Sequence, residues 1–119
     1  HSRWESELLD LYEWDKAVIP QLGEAKVVED PFEATFAISL DSLSHAAVVL
    51  KVDNELTAKE PLLKPGADGK LPKKRSEAYY KELWEKQHEL VEQRLAKAST
   101  WTASLWWGAW VKAGKPGIE

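Results

Sequence analysis

An all-α helical bundle is the fold class this sequence predicts, and three observations predict it. Apolar residues recur at three-, four- and seven-residue steps in three separate blocks. Capping and stop residues bracket those blocks. No stretch shows the strict apolar–polar alternation of a half-buried strand. With 119 residues, 44% hydrophobic and 30% charged, the chain has enough apolar material for a packed core but makes one domain or less. Residues 1–119 therefore read as a single helical region.

The first block carries Trp4, Leu8, Leu11 and Tyr12 at helical spacing, continued by Trp14, Val18 and Leu22. Pro20 and Gly23 close it, so a helix is predicted near 1–20, followed by a linker over 24–29. The second block opens on Asp30-Pro31-Phe32-Glu33, an N-cap, a first-position proline and a capping-box acid. Phe36, Leu40, Leu43, Ala47 and Leu50 line one face of it; Ile38, His45, Val49 and Val52 line another. A helix apolar on two faces is expected to be central in a bundle, here over 31–53, fading at Asp53-Asn54. Residues 60–74, rich in Pro, Gly and Lys, read as a surface loop. Ser76 caps the third block, in which Tyr80, Trp84, Val91, Leu95, Leu105 and Ala109 predict a helix over 77–113. A span that long is expected to kink or break near Ser99-Thr100 or Gly108. Gly114 and Pro116 end it. Trp84, Leu95, Phe36, Leu40 and Leu43 are the expected core.

Composition excludes several classes of function. With no cysteine there is no disulfide scaffold, cysteine zinc finger, thiol nucleophile or iron–sulfur cluster. Sixteen basic against twenty acidic residues give a net charge of −4, which disfavours whole-surface binding of nucleic acid. Positive charge gathers over residues 59–75, where Lys73-Lys74-Arg75 ends the loop, and is expected to be solvated. No run of 18 apolar residues occurs, so no transmembrane segment and no signal peptide are expected.

The chemically loaded spot is His1-Ser-Arg-Trp-Glu5. On a helix, His1 and Glu5 stand at i and i+4 and can grip one metal ion from consecutive turns. His45, on an apolar face, reads as a core histidine; His88, among charges, reads as exposed. Neither has a partner at metal-ligand spacing. Ser39, Ser42, Ser44 and Ser104 lack a nucleophile-elbow context, and no glycine-rich phosphate loop is present. Trp101, Trp106, Trp107 and Trp110 cannot all point inward from one helix. At least one is expected to face a partner, another segment or solvent.

Two stretches together resemble a known family. His1-Ser-Arg-Trp-Glu5 resembles the second zinc-binding His-x-x-x-Asp/Glu motif of the S1/P1 nuclease and zinc-dependent phospholipase C superfamily. The run from Arg94-Leu-Ala-Lys-Ala-Ser through Ser104-Leu-Trp-Trp-Gly-Ala-Trp110 to Ala113-Gly-Lys-Pro116 resembles the last helix of its bacterial members. The resemblance implies the C-terminal portion of a phospholipase C/P1 nuclease-like fold, mostly helical, with three zinc ions that activate water and neutralise phosphate. By position, His1 and Glu5 would bind one zinc. The remaining ligands, an N-terminal Trp with further His and Asp, have no counterpart here. An upstream portion of the same protein, or a second chain, is therefore expected to complete the site, and this chain alone is expected to be inactive. The resemblance further implies hydrolysis of nucleic-acid phosphodiester bonds, with phospholipid as the alternative substrate, in a secreted or periplasmic protein. Read from the residues alone, a non-catalytic helical binding module stands beside it.

Overall fold

Asp30 starts the first long helix. In the computed structural model its Oδ1 accepts hydrogen bonds from the N–H groups of Phe32 and Glu33, both at 3.0 Å. Two of the donors that a helix leaves open at its start are thereby satisfied. Ser76 satisfies one such donor of the second, its Oγ accepting from the Tyr79 N–H at 3.1 Å. The structure describes residues 3–13, 15–60, 65, 67–69 and 75–117, apart from the side chain of Glu5. The elements in order are a π-helical turn Arg3–Glu7, α1 (Leu8–Leu11), α2 (Asp15–Val18), a 3₁₀ turn Ile19–Gln21, α3 (Pro31–Lys59) and α4 (Glu77–Lys112). There is no strand among the described residues, so the fold is all-α.

The first block departs from the single helix expected over 1–20. Tyr12 is extended (φ −131°, ψ 145°) and ends α1. Its ring stacks on Trp84, centroids 4.6 Å apart and planes 3° from parallel. That stack draws Tyr12 out of helical register. α3 runs to Lys59 rather than fading at Asp53-Asn54, because the Asp53 carboxylate is held by Arg3 and Tyr79 and Leu56 is buried beyond it. α4 has neither of the expected breaks and runs from Glu77 to Lys112. It stops where the sequence places the stop: Gly114 (φ 81°) and Lys115 (φ 56°) turn left-handed, and the Lys115 N–H donates to the Trp110 carbonyl at 3.0 Å.

The chain divides into two compact units, His1–Tyr12 with His45–Glu89, and Glu13–Ser44 with Leu90–Glu119. In the first, the buried side chains include Leu8, Leu56, Tyr79, Tyr80 and Leu83. In the second they are Val18, Val91, Ala96 and Ser104. The linker of the second unit is laid along α4 by small residues four apart. The Gly23 N–H donates to Thr100 Oγ1 (2.9 Å) and the Lys26 N–H to Ser104 Oγ (3.1 Å). Lys112 Nζ then donates to the Glu29 carbonyl (2.9 Å). At Gly108 the linker backbone comes so close that a Cβ would stand 3.3 Å from the Val28 nitrogen. Gly108 therefore serves close approach, not a kink.

The expected core needs correction. Phe36, Leu40 and Leu43 are 57%, 52% and 67% exposed, and Trp84 and Leu95 are half-buried. Of the two apolar faces of α3, the one with Ile38, His45, Val49 and Val52 is half-buried and ends on the buried Leu56. The Phe36–Leu50 face is left to solvent. Hydrophobicity alone reads the same on both faces.

Candidate functional site

In the first unit, the motif segment is fixed by a polar cluster. Arg3 lies on the π-helical turn, and its Nη1 donates to Asp53 Oδ1 on α3 at 2.7 Å and to the Tyr79 hydroxyl on α4 at 3.3 Å. The Tyr79 hydroxyl donates in turn to the same Asp53 oxygen, and the Tyr80 hydroxyl donates to Glu7. The Arg3 guanidinium also stands over the Tyr79 ring, 5.9 Å from its centroid. The hydrogen bond with Tyr79, aided by the Asp53 charge, raises the Arg3 pKa against the opposing effect of burial. Burial first, then the neighbouring carboxylates Asp53 and Glu7, pushes both tyrosine hydroxyls up to about 12. Asp53 is thus committed to Arg3 and Tyr79, not open as a metal ligand.

Of the two expected metal ligands, His1 lies outside the described residues, and so does the side chain of Glu5. The backbone of Glu5 lies on the π-helical turn, a widened turn frequent at functional sites. Among the described residues no group of three or more His, Cys, Asp or Glu is placed to hold a metal ion. His45 is half-buried on α3. His88 departs from its expected exposure: it is half-buried, its ring 5.6 Å from that of Trp84. Among the described residues, three buried polar atoms have no hydrogen-bond partner, Trp4 Nε1 in the motif itself, Thr57 Oγ1 and Gln87 Oε1.

Of the cations of the basic stretch, Lys59 and Arg75 are described, and both are ion-paired. Lys73 and Lys74 lie outside the described residues. Arg75 donates to Glu60 at 3.2 Å and stands over the Tyr79 ring at 5.8 Å. Glu60 also accepts from the Ser76 N–H at 2.8 Å. Burial pushes the Glu60 carboxyl up, but the bonds from Ser76 and Arg75 outweigh it and hold the pKa below the usual range.

The second unit contains a groove of about 570 Å³ lined by Ile38, Asp41, Arg94, Lys97, Thr100 and Trp101 among others. Arg94 and Lys97 both donate to Asp41, and Arg94 also to Ser42. Those bonds, from Arg94 first, lower the Asp41 pKa. The groove's cations and its carboxylate thus answer one another, leaving little net charge to select an ionic ligand. The serines carry no nucleophile arrangement: Ser39, Ser44 and Ser104 donate to backbone carbonyls of their own helices. Trp106 points to solvent at 75% exposure, while Trp107 and Trp110 pack together at 5.0 Å.

Sequence reasoning missed Arg3 and Asp53. The signal was present: an acid inside an apolar helix demands a cation, and Arg3 is one of three basic residues among the first thirty. Compared with protein-family models, curated proteins and solved structures, the chain matches none.

Proposed function

We propose that this chain is the C-terminal part of a zinc-dependent phosphodiesterase, an S1/P1-like nuclease acting on nucleic-acid phosphodiester bonds, to which it contributes His1 and Glu5 as ligands of one zinc ion. The observation that carries this reading is the joint occurrence of His1-Ser-Arg-Trp-Glu5 and the Trp-rich ending in one chain. The all-α fold is compatible with it. Two features of the first unit support it further. Arg3 ties the motif turn to α3 and α4, which is how a ligand-bearing segment is held in place. The buried Trp4 indole N–H without a partner marks the same turn as polar capacity unused by the described residues. Phospholipid is the alternative substrate, since both share the phosphodiester.

The test uses the protein with the segment that completes the site. Zinc content by atomic emission and hydrolysis of single-stranded DNA and of phosphatidylcholine are compared between the parent, His1→Ala and Glu5→Ala. Loss of about one zinc per chain together with hydrolysis supports the reading, and the substrate lost names the branch. Unchanged zinc content and unchanged hydrolysis in both variants overturn it.

A second reading, a non-catalytic helical interaction module, is favoured by Trp106, a large aromatic on the surface of α4. It gains if Trp106→Ser abolishes binding to a partner while the His1 and Glu5 variants change nothing.

A further inference from the structure

One end of the second unit carries every exposed aromatic side chain among the described residues. Phe32 and Phe36 begin α3, Trp106 and Trp107 lie near the end of α4, and all four are exposed. Polar contacts bring these two places together. Asp41 accepts from Arg94 and Lys97, whereas the earlier Glu29 carbonyl accepts from the later Lys112. Within this unit the start of α3 and the end of α4 are therefore antiparallel neighbours. Phe32 stands 41 − 32 = 9 residues before Asp41, and Trp106 stands 106 − 97 = 9 residues after Lys97. At ~1.5 Å per residue, both rings lie about 14 Å along their helices from the shared ion pair, at one level.

At ~3.6 residues per turn, nine residues are about two and a half turns, so each ring stands on the side of its helix turned from that ion pair. Aromatic rings at one level on opposite sides of a helix pair form a belt, the arrangement found where protein meets the headgroup level of a bilayer. A facing protein surface would reach only one of the two sides. The charges at this end point the same way. Among the described residues neither Lys112 nor Lys115 meets a carboxylate: Lys112 donates to the Glu29 carbonyl, and Lys115 stands over the Trp110 ring, 6.0 Å from its centroid. Glu29, Asp30 and Glu33 are exposed at the same end. Presenting both signs together complements a phosphocholine headgroup, itself a phosphate joined to an ammonium, and gives a nucleic acid no net positive field. α3 is long and apolar enough to cross a bilayer. Asp41 and Asp53 within it are held by Arg94 and Arg3, however, and contact at the end of the unit keeps those pairs where a span would bury them in lipid.

We propose that this end of the second unit seats on the surface of a zwitterionic phospholipid bilayer, with Phe32, Trp106 and Trp107 entering the headgroup region and Lys112 and Lys115 against the phosphates. This goes beyond the zinc reading and does not depend on it.

The test is co-sedimentation of the 119-residue chain with phosphatidylcholine vesicles, with far-UV circular dichroism confirming that each variant is folded. Binding that survives high salt is expected. Phe32→Ser and Trp106→Ser each weaken it by about tenfold, because a large apolar ring no longer leaves water, and Trp106→Phe weakens it less. Leu11→Ser, at an exposed apolar residue of the first unit, leaves it unchanged. Any of four results overturns the proposal: no binding to phosphatidylcholine vesicles, binding indifferent to both Phe32→Ser and Trp106→Ser, binding confined to phosphatidylglycerol vesicles and lost in high salt, or a loss in Leu11→Ser as large as that in Trp106→Ser. Oligomers that form without vesicles and are dispersed by Trp106→Ser assign the rings to a second copy and overturn it as well.

Discussion

Arg3, Asp53, Tyr79 and Tyr80 show how single side chains place the motif segment. One guanidinium spans two helices through one carboxylate and one phenol. Since both phenols are buried and hydrogen-bonded to carboxylates, their neutral forms are favoured, with pKa values near 12 against an unfolded value of about 10. A folded-state pKa raised above the unfolded one gives stability that is fully present below pH ~10 and lost as pH rises through ~12. The urea midpoint is therefore expected to fall between pH ~9 and ~12, and Tyr80→Phe is expected to flatten that fall. A fall of equal steepness in Tyr80→Phe would place the titrating group elsewhere. Leu83, 1% exposed on α4, is the clearest core residue of the first unit. Leu83→Ala is expected to cost about 2–5 kcal/mol in urea denaturation. A cost under about 0.5 kcal/mol would mean that the site is not core.

At the scale of the element, α4 owes its unbroken course to what lies against it. Thr100, Ser104 and Gly108 form a stripe of small residues four apart, and the extended linker is seated on it by two hydroxyl acceptors and one close approach. The length of the span leads to the expectation of a break near Ser99-Thr100 or Gly108. The short side chains of the stripe instead give the linker backbone room to lie on the helix. Gly108→Val is expected to push the linker away and cost about 1–3 kcal/mol, despite valine's better helix propensity. Hydrogen exchange at the Gly23 and Lys26 amides is the direct reading: faster exchange in the variant is expected, and unchanged protection would show that the linker is held by other means.

At the scale of the whole molecule, the described residues contribute an all-α scaffold without a complete set of metal ligands. The purified 119-residue chain is therefore expected to show no hydrolysis of single-stranded DNA or phospholipid above background, with or without added zinc. Zinc-dependent hydrolysis that survives repeated purification and is lost in Glu5→Ala would show instead that the chain is sufficient by itself.

The three-block periodicity, the Asp30 and Ser76 caps and the Gly114 stop are local properties, so the sequence by itself determined the all-α class, both long helices and their starting residues. The i, i+4 spacing of His1 and Glu5 is also read along a single segment, and His1 and the Glu5 side chain lie outside the described residues. Tertiary structure alone decided which residues of α3 are covered, since Phe36, Leu40 and Leu43 match Ile38, Val49 and Val52 in hydrophobicity yet the first three are exposed and the last three half-buried. It also decided the fate of Asp53 and of Tyr12. Local preference would end a helix at the first and continue one through the second. Partners distant in the chain, Arg3 and Tyr79 for Asp53 and Trp84 for Tyr12, supply the hydrogen bonds and the ring stack that outweigh that preference.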